Sequence, residues 1–202
     1  MDTIFSTYLE LGFRHIISWR ATDHLTFLLA LCAPFVLVDW RRVLALVSSF
    51  TVGHSLTLAL ATLGLVSFPL VLIESLIPTT IIITALFNLR RAGRPLVSRT
   101  AVGDATRGAA SYVLAGAFGL IHGLGFANYL RTLLGTQNQP IKELLAFNVG
   151  VEIGQVLVVA VMLGLAFVLL GVAGVARRDW VLTSSGAALG AALLLLVQLL
   201  AG

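Results

Sequence analysis

Ionisable side chains interrupt the apolar stretches that make up most of this chain. Histidines occur inside or at the start of three such stretches: His24, His54 and His122. Carboxylates occur in the same setting: Asp23, Glu74 and Glu152. An acid or base in the middle of a membrane span costs about 2.5–3.5 kcal/mol, so such residues usually serve a function. Imidazole and carboxylate groups together also bind divalent transition metals. The sequence therefore predicts a membrane protein with a path for a metal ion or a proton.

The composition requires a membrane-embedded fold. Hydrophobic residues make up 58% of the 202 residues, charged residues only 11%, and the mean hydropathy is +1.01. Soluble domains carry about 25% charged residues, so most of this surface must face lipid. The alternation of apolar and polar residues typical of a membrane β-barrel is absent from the sequence. We therefore expect a single all-α transmembrane domain over residues 1–202, a polytopic helix bundle in the bilayer.

Scarce residue types narrow the chemistry. Cys32 is the only cysteine, which excludes an internal disulfide and a cysteine-pair metal site. With only two methionines, the chain has little sulfur for a Cu(I) carrier and favours ions that prefer imidazole. No GxxxxGK[ST] motif occurs, so we expect no nucleotide as a partner. The pI of about 10.0 reflects membrane topology and does not predict nucleic-acid binding.

The lengths of the apolar segments predict about six transmembrane helices, since about 20 residues cross a bilayer. These segments are 18–39, 43–66, 69–89, 109–134, 143–170 and 180–201. In the first segment the uninterrupted apolar run, 25–38, is too short to cross about 30 Å at about 1.5 Å per residue. We therefore expect this helix to begin near Ser18, which places Asp23 and His24 inside the membrane boundary.

Basic residues predict the orientation of the spans. Of the 13 lysines and arginines, nine follow the first, third and fifth spans, which leaves four on the other side. The positive-inside rule makes the richer side cytoplasmic. Both termini then face the periplasm or the extracellular side, and 90–108 is a flexible cytoplasmic loop. Tryptophans at predicted span ends fit the membrane interface: Trp19, Trp40 and Trp180.

Small residues at GxxxG spacing, which allow helices to approach closely, occur in three spans. The pairs are Gly119 and Gly123, Gly150 and Gly154, and Gly186 and Gly190. The last span has no ionisable residue, so we expect its glycines to serve packing only. The sequence is also compatible with a homo-oligomer.

Polar side chains share helix faces with the candidate ligands. Thr51, His54 and Ser55 lie on one face of the second span. A second polar stripe lies in the outer half of the fifth span: Asn148, Glu152 and Gln155. Such a stripe is typical of a vestibule or of ligands for a hard ion. We expect an ion path lined by Thr51, Ser55, Asn148 and Gln155. The alternative for these residues and for the histidines is hydrogen bonding across helix interfaces.

The predicted depths argue against one compact site. Helix rise separates Glu74 from the central His54 and His122 by roughly 10 Å. We expect an outer acidic funnel that leads to His54 and His122. The residues of this funnel are Asp23, His24, Glu74, Asn148 and Glu152. Adjacent residues point about 100° apart on a helix, so Asp23 would orient the ring of His24 or instead cap its helix. Glu74 has an alternative as an interfacial residue, four positions before Pro78.

Several stretches together resemble one protein family. They are GFRHII and TDHLTFLLAL, FTVGHSLTLALA, IESLI with a later Asn88, FGLIHGLGFA, and FNVGVEIGQ. In this order they resemble the second subgroup of the HupE/UreJ family of small bacterial membrane proteins. The resemblance implies a nickel or cobalt permease of the bacterial inner membrane. The metal residues that it implies are His15, Asp23, His24, His54 and His122, with Glu74 and Glu152 as acidic partners.

The chain departs from the family pattern in two places. The family places its first histidine closer to the Asp-His pair than His15 is to Asp23, and on one continuous helix His15 and His24 would face opposite sides. Pro78 and Thr80 stand where the family prefers small residues and serine.

Two stretches of the chain resemble one another: Phe50-Thr-Val-Gly and Phe147-Asn-Val-Gly. A three-plus-three inverted repeat would produce such a match.

Two classes of function remain after this reading. The first is secondary transport of a divalent metal ion, Ni²⁺ or Co²⁺, inward through the lipid bilayer. The alternative is an intramembrane zinc-dependent hydrolase, in which three histidines and an aspartate hold Zn²⁺ and Glu152 acts as general base. A haem held by His54 and His122 is a third reading. The acidic outer stripe and the small size of the chain favour transport.

Overall fold

The chain is all-helical in the parts that the structure, a computed structural model, describes: residues 3–18, 21–92, 101–134 and 140–201, without the side chains of 101–108, 134 and 140. Seven α-helices lie in these residues. They are α1 Thr3–Ile17, α2 Thr22–Cys32, α3 Trp40–Thr62, α4 Leu70–Ala92, α5 Ala101–Leu134, α6 Pro140–Phe167 and α7 Arg177–Ala201. A π-helical turn, Val168–Val172, extends α6.

Five helical segments are long and apolar enough to cross a membrane. They are Leu37–Thr62, Leu70–Ala92, Ala109–Leu133, Ile141–Val172 and Arg177–Ala201. These segments match the second to sixth predicted spans to within a few residues at most ends. The prediction of an all-α, polytopic bundle is therefore confirmed.

The first predicted span, 18–39, is wrong as a single helix. Helix α1 ends at Ile17, and α2 is only 11 residues long. Pro34 follows two residues after the end of α2, and a proline cannot continue the hydrogen-bond ladder of a helix. The Val36 N–H then donates to Asp39 Oδ2 (3.2 Å) and opens a short 3₁₀ turn that runs into α3. The chain before α3 therefore forms two short helices, and α1 lies upstream of the segment that the sequence indicated.

The predicted flexible loop 90–108 is also partly wrong. Helix α4 continues to Ala92, and α5 already begins at Ala101; the remainder of that loop, 93–100, lies outside the described residues. Trp40 begins α3 and Trp180 lies in the first turn of α7, at helix ends as expected. Trp19 lies outside the described residues.

The helices pack mainly as three pairs: α3 with α5, α1 with α6, and α4 with α7. Glycine permits the contact in the first pair. A Cβ on Gly119 would overlap the Phe50 carbonyl, and a Cβ on Gly123 would overlap the His54 carbonyl. The backbones of α3 and α5 therefore touch, as the GxxxG spacing predicted. Gly150 plays the same part in α6 against the Leu9 carbonyl of α1, and a Cβ on Gly154 would lie 3.0 Å from the Ile16 side chain.

The glycines of the last span do not pack in this way. A Cβ on Gly186 or Gly190 would meet nothing within 4 Å in the described structure. Helix α7 instead buries Ala188 and Ala192 in the cluster that contains Ile81 of α4. The expectation that the GxxxG pair of α7 serves packing is therefore wrong for contacts between helices of one chain.

The two glycine-mediated pairs repeat the same backbone contacts. Gly12 of α1 lies against the Phe147 carbonyl of α6, as Gly119 of α5 lies against the Phe50 carbonyl of α3. Phe50 and Phe147 are the first residues of the two similar Phe-x-Val-Gly stretches. The predicted internal echo therefore has a counterpart in how these helices pack.

The final glycines of the two stretches extend the match. Gly150 lies against the Leu9 carbonyl, and Gly53 lies against the Gly116 carbonyl. Leu9 stands three residues before Gly12, just as Gly116 stands three residues before Gly119. A histidine follows three residues after Gly12 and three residues after Gly119. These histidines are His15 in α1 and His122 in α5. The two histidines therefore occupy equivalent positions in the two helix pairs.

Substitution of a contacting glycine tests this packing. We expect Gly119→Ala to lower the free energy of unfolding by about 1–3 kcal/mol, the usual cost of forcing an atom into a filled contact. Gly186→Ala is the matched control, because its Cβ meets open space and alanine is the better helix former by up to about 1 kcal/mol. Unfolding of both variants in detergent micelles measures the difference, and equal effects would contradict the contact.

Candidate metal centre

Four histidines from four helices converge inside the bundle. His15 lies in the last turn of α1, His24 in the first turn of α2, and the other two in α3 and α5. The ring of His24 lies 4.7 Å from that of His15, 5.6 Å from that of His54 and 5.3 Å from that of His122, centroid to centroid. His24, His54 and His122 are buried, and His15 is half-buried. The expected difference in depth between His24 and the two central histidines is therefore absent.

The break between α1 and α2 brings His15 into this cluster. On one continuous helix His15 and His24 would point to opposite sides. Because α1 ends at Ile17 and α2 restarts at Thr22, the chain can change direction between them. The two rings then meet edge to face, at an interplanar angle of 69°. The unusual spacing of His15 from the Asp-His pair is accommodated by this break.

Most of the imidazole nitrogens have no hydrogen-bond partner among the described residues. The buried, unpartnered atoms are His15 Nε2, both ring nitrogens of His24 and of His54, and His122 Nδ1. Buried polar atoms are normally satisfied, so these nitrogens call for a partner such as water or an ion. The alternative of histidines that hydrogen-bond across helix interfaces does not describe His24 or His54.

The potential ligand atoms form two groups that share one residue. His15, His24 and His54 offer nitrogens that lie within 4.8 Å of one another, and Asp23, His24 and His122 offer a second such set. Two ligands of one ion stand roughly 3–3.5 Å apart when each bond is about 2.0–2.1 Å long. Either group would therefore have to contract somewhat to hold an ion, and His24 is common to both.

Asp23 stands beside His24 without capping the helix. Asp23 Oδ1 lies 3.1 Å from His24 Nδ1, although not in the alignment of a hydrogen bond. The N-cap of α2 is Ala21, and no side chain caps that helix end. The capping role considered for Asp23 is therefore wrong. Its carboxylate is half-buried next to the imidazoles, where it can bind a cation or orient His24.

Thr80 of α4 positions His122, a role that the sequence did not indicate. The Thr80 hydroxyl donates to the Ile77 carbonyl (2.7 Å), so its single hydrogen is used. Its oxygen lies 3.0 Å from His122 Nε2, and with the hydroxyl hydrogen directed to Ile77 it would accept from that nitrogen. This arrangement would favour the tautomer with the proton on Nε2, in which the lone pair of Nδ1 is free. The sequence singled out Thr80 only as a departure from the family pattern. Its contact with His122 could not be predicted, because the two residues are distant in sequence.

Aromatic rings enclose the histidine cluster. Phe126 packs 4.0 Å from the ring of His15, and Phe50 lies 5.1 Å from that of His122. Phe27 lies 5.2 Å from the ring of His122 and stacks on Phe50. An apolar wall excludes water and strengthens every electrostatic interaction inside it. These phenylalanines were not predicted, since in sequence they are ordinary members of apolar runs.

The other candidate residues lie outside both groups. Glu74 is exposed near the start of α4, which continues through Pro78 without a break. Glu152 Oε1 accepts a 2.6 Å hydrogen bond from the Ser48 hydroxyl, and Gln155 Oε1 accepts one of 2.6 Å from Thr51. The polar stripe of α6 therefore faces α3 and not the histidines. A cavity between these two helices is lined by Ser48, Thr51, Val52, Ser55, Asn148, Val149 and Glu152.

Two long-range hydrogen bonds fix the far end of α2. Asn88 Nδ2 of α4 donates to the Ala30 carbonyl (2.7 Å), and Arg177 donates to the Pro34 carbonyl (2.6 Å). Asn88 belongs to the segments that resemble the family, and its contact shows what it does in this fold. With its C-terminal end held in this way, α2 presents His24 to the cluster from its other end.

Replacement of Thr80 tests its effect on His122. We expect Thr80→Val to lower the fraction of His122 that carries its proton on Nε2, because valine cannot accept the hydrogen bond. Thr80→Ser keeps the hydroxyl and should keep this tautomer. Nitrogen NMR of histidine-labelled protein reads the tautomer directly, and a valine variant with an unchanged His122 spectrum would exclude this positioning role.

Comparison with known proteins identifies the family. Residues 1–199 match the family described as HupE / UreJ protein, so the chain belongs to that family. No curated protein and no solved structure shows a significant match. With five apolar helices long enough to cross a bilayer, the chain is a multi-pass membrane protein of the HupE/UreJ family.

Proposed function

We propose that this member of the HupE/UreJ family is a secondary transporter for a divalent transition-metal ion, most simply Ni²⁺ or Co²⁺. The observation that carries the proposal is the histidine cluster, in which buried imidazole nitrogens converge without partners. Imidazole-rich sites suit nickel, cobalt and zinc, and the lone Cys32 lies outside both ligand groups. The association of the family with nickel and cobalt selects among these ions.

The interruption between helices α1 and α2 lies at the histidine cluster, and it favours transport of the ion over permanent binding. Discontinuous helices in the middle of a bundle are a common feature of secondary transporters, where they form the substrate site. Here α1 ends beside the ring of His15, and α2 begins beside the ring of His24. Two overlapping ligand groups around His24 also give the ion two neighbouring positions, so it need not lose all ligands when it moves.

The direction of transport follows from charge. We propose that the basic ends of the spans face the cytoplasm and that both termini face outward. The contact of Arg177 with the Pro34 carbonyl supports this, because it puts the start of α7 at the same end as the turn before α3. An ion of charge +2 that enters a negative interior gains about 4.6 kcal/mol per 100 mV. The membrane potential can therefore drive uptake.

The alternative readings receive less support. In a zinc hydrolase Glu152 would act as general base, but its carboxylate is hydrogen-bonded to Ser48 and lies outside both ligand groups. The two histidines and one aspartate of the second group resemble a catalytic zinc set, so this alternative keeps a test below. A haem would need a flat space between His54 and His122, and Phe50 packs against both rings.

The shared histidine should dominate metal affinity. We expect His24→Ala to weaken Ni²⁺ or Co²⁺ binding by about 100-fold or more. Loss of a residue that only hydrogen-bonds a metal ligand already lowers metal affinity by about 10–100-fold. His15→Ala and Asp23→Asn should cost less, because each leaves one group of ligands intact. Titration calorimetry on detergent-purified protein measures the order, with Glu74→Gln as the control. Equal losses in all three variants would contradict the overlap of the two groups.

Transport and catalysis separate in proteoliposomes. Wild-type protein should carry Ni²⁺ or Co²⁺ inward when the interior is negative, and His54→Ala/His122→Ala should reduce the rate to that of empty liposomes. The double variant removes one ligand from each group, so neither ion position survives. Uptake that persists in the double variant would refute the mechanism. Zinc that stays bound in stoichiometric amount through purification, together with lipid or peptide turnover, would favour the hydrolase.

A further inference from the structure

We propose that the cavity between α3 and α6 is a second cation site, which binds Na⁺ as the coupling ion. Its coupling role depends on the proposed transport function, whereas the binding of Na⁺ there does not. The cavity is a groove of about 440 Å³ that opens widely at the surface of the helix bundle, and the residues that line it belong to these two helices only. None of the residues that line it belongs to the two ligand groups of the histidine cluster.

The first argument is an incompletely paired carboxylate. Glu152 Oε1 accepts the hydrogen bond from Ser48, but Oε2 is buried and has no partner among the described residues. No salt bridge to Glu152 occurs in the part of the chain that the structure describes. A charged carboxylate in a membrane helix bundle is costly unless a proton or a cation neutralises it. Oε2 of Glu152 is therefore a place for a proton or for one positive ion, and the neighbouring oxygen atoms favour the ion.

The second argument is the chemistry of the other lining atoms. Asn148 Oδ1 is also buried and unpartnered in the described structure. Thr51 and Ser55 add hydroxyl oxygens from the facing helix. Nitrogen and sulfur ligands are absent from this lining, while carboxylate, amide and hydroxyl oxygens are the ligands of hard cations. One carboxylate balances one charge, so the site fits a monovalent hard cation better than the transition metal held by imidazoles.

The third argument is the position of the cavity between the two repeated helix pairs. Helix α3 belongs to one pair and α6 to the other. The match of the two Phe-x-Val-Gly stretches aligns Thr51 with Asn148 and Ser55 with Glu152, so equivalent turns of both halves line the cavity. In a three-plus-three repeat this match puts α3 in the first half of the chain and α6 in the second, and in inverted-repeat transporters the ion sites lie between the repeats.

This position accounts for coupling. Glycine contacts hold each pair together at the level of the backbone, whereas α3 and α6 meet mainly through side chains around the cavity. A cation that bridges Glu152 of one pair and Ser55 of the other would stabilise one relative placement of the pairs. Thr51 lies one helical turn from His54 on α3, so a change at the cavity would reach the transition-metal site directly.

Thermal unfolding of the purified protein tests binding without any transport assay. In NaCl, compared with choline chloride at the same ionic strength, we expect the wild-type Tm to rise by about 2–4 °C or more, the size expected for a ligand of the native state. Glu152→Gln should abolish the rise. Glu74→Gln, the same change on an exposed carboxylate, should retain it. If Glu152→Gln does not fold, Asn148→Ala and Ser55→Ala provide the same comparison with a partial loss.

Uptake in proteoliposomes tests coupling. An inward Na⁺ gradient should stimulate Ni²⁺ or Co²⁺ uptake several-fold, and Glu152→Gln should lose this stimulation. The affinity of Glu152→Gln for the transition metal, measured by calorimetry, should stay within about twofold of the wild-type value.

A wild-type Tm that does not respond to Na⁺, or a response that survives in Glu152→Gln, would overturn the site. Uptake that responds to a pH gradient but not to Na⁺ would overturn it in favour of a proton. A Na⁺-dependent Tm without any transition-metal uptake would instead remove the proposed transport function and leave the cation site standing.

Discussion

The contact of helix backbones across glycine is the constraint on which the rest of this structure depends. Gly12 and Gly119 lie against carbonyl oxygens of the neighbouring helix, at a distance that no side chain permits. Each is followed three residues later by a histidine, so the contact sets both the depth and the direction of His15 and His122. Little hydrophobic force acts between helices in lipid, where close packing carries much of the association. The same contacts therefore stabilise the bundle and position its ligands.

The break before α2 is the second element of the site. A continuous helix would carry His15 and His24 on opposite faces, and the cluster would lose one of its ligands. The interruption is placed where the rings of His15 and His24 meet. Helix ends at membrane depth are tolerated when they are surrounded by protein or line a site. The interruption between α1 and α2 is therefore what brings both rings into one cluster.

Imidazole rings and a single carboxylate define what the centre can hold. Because phenylalanine rings surround the histidines, a bound cation must exchange its hydration shell for nitrogen and oxygen ligands of the protein. Thr80 directs one of these nitrogens by holding the opposite side of the ring, which is the usual arrangement behind a metal-binding histidine. The cavity between α3 and α6 differs in its ligands, because it has no imidazole and its polar groups are hydroxyls, an amide and one carboxylate. The segregation of nitrogen and oxygen ligands would allow two kinds of cation to be distinguished within one small bundle.

Much of this organisation was already determined by the sequence, because membrane insertion acts on local composition. Long apolar runs predicted five of the six spans, and the cost of burying ionisable groups singled out Asp23, His24, His54 and His122. The resemblance to a family added His15. GxxxG spacing predicted the contacts of Gly119 and Gly150, but it failed for Gly186, since spacing alone does not say which helix face meets a neighbour.

Only the tertiary structure decided which of these residues meet. The boundary between α1 and α2 leaves no mark in the hydropathy of the sequence, and so the first span was misread. Thr80 and the phenylalanines around the cluster lie far from the histidines in sequence. Glu74 and Glu152 have the same carboxylate, yet one is exposed and the other faces α3 in a cavity. Side-chain type states what a residue can bind, whereas the rotation of each helix about its axis, set by packing against its neighbours, decides what it reaches.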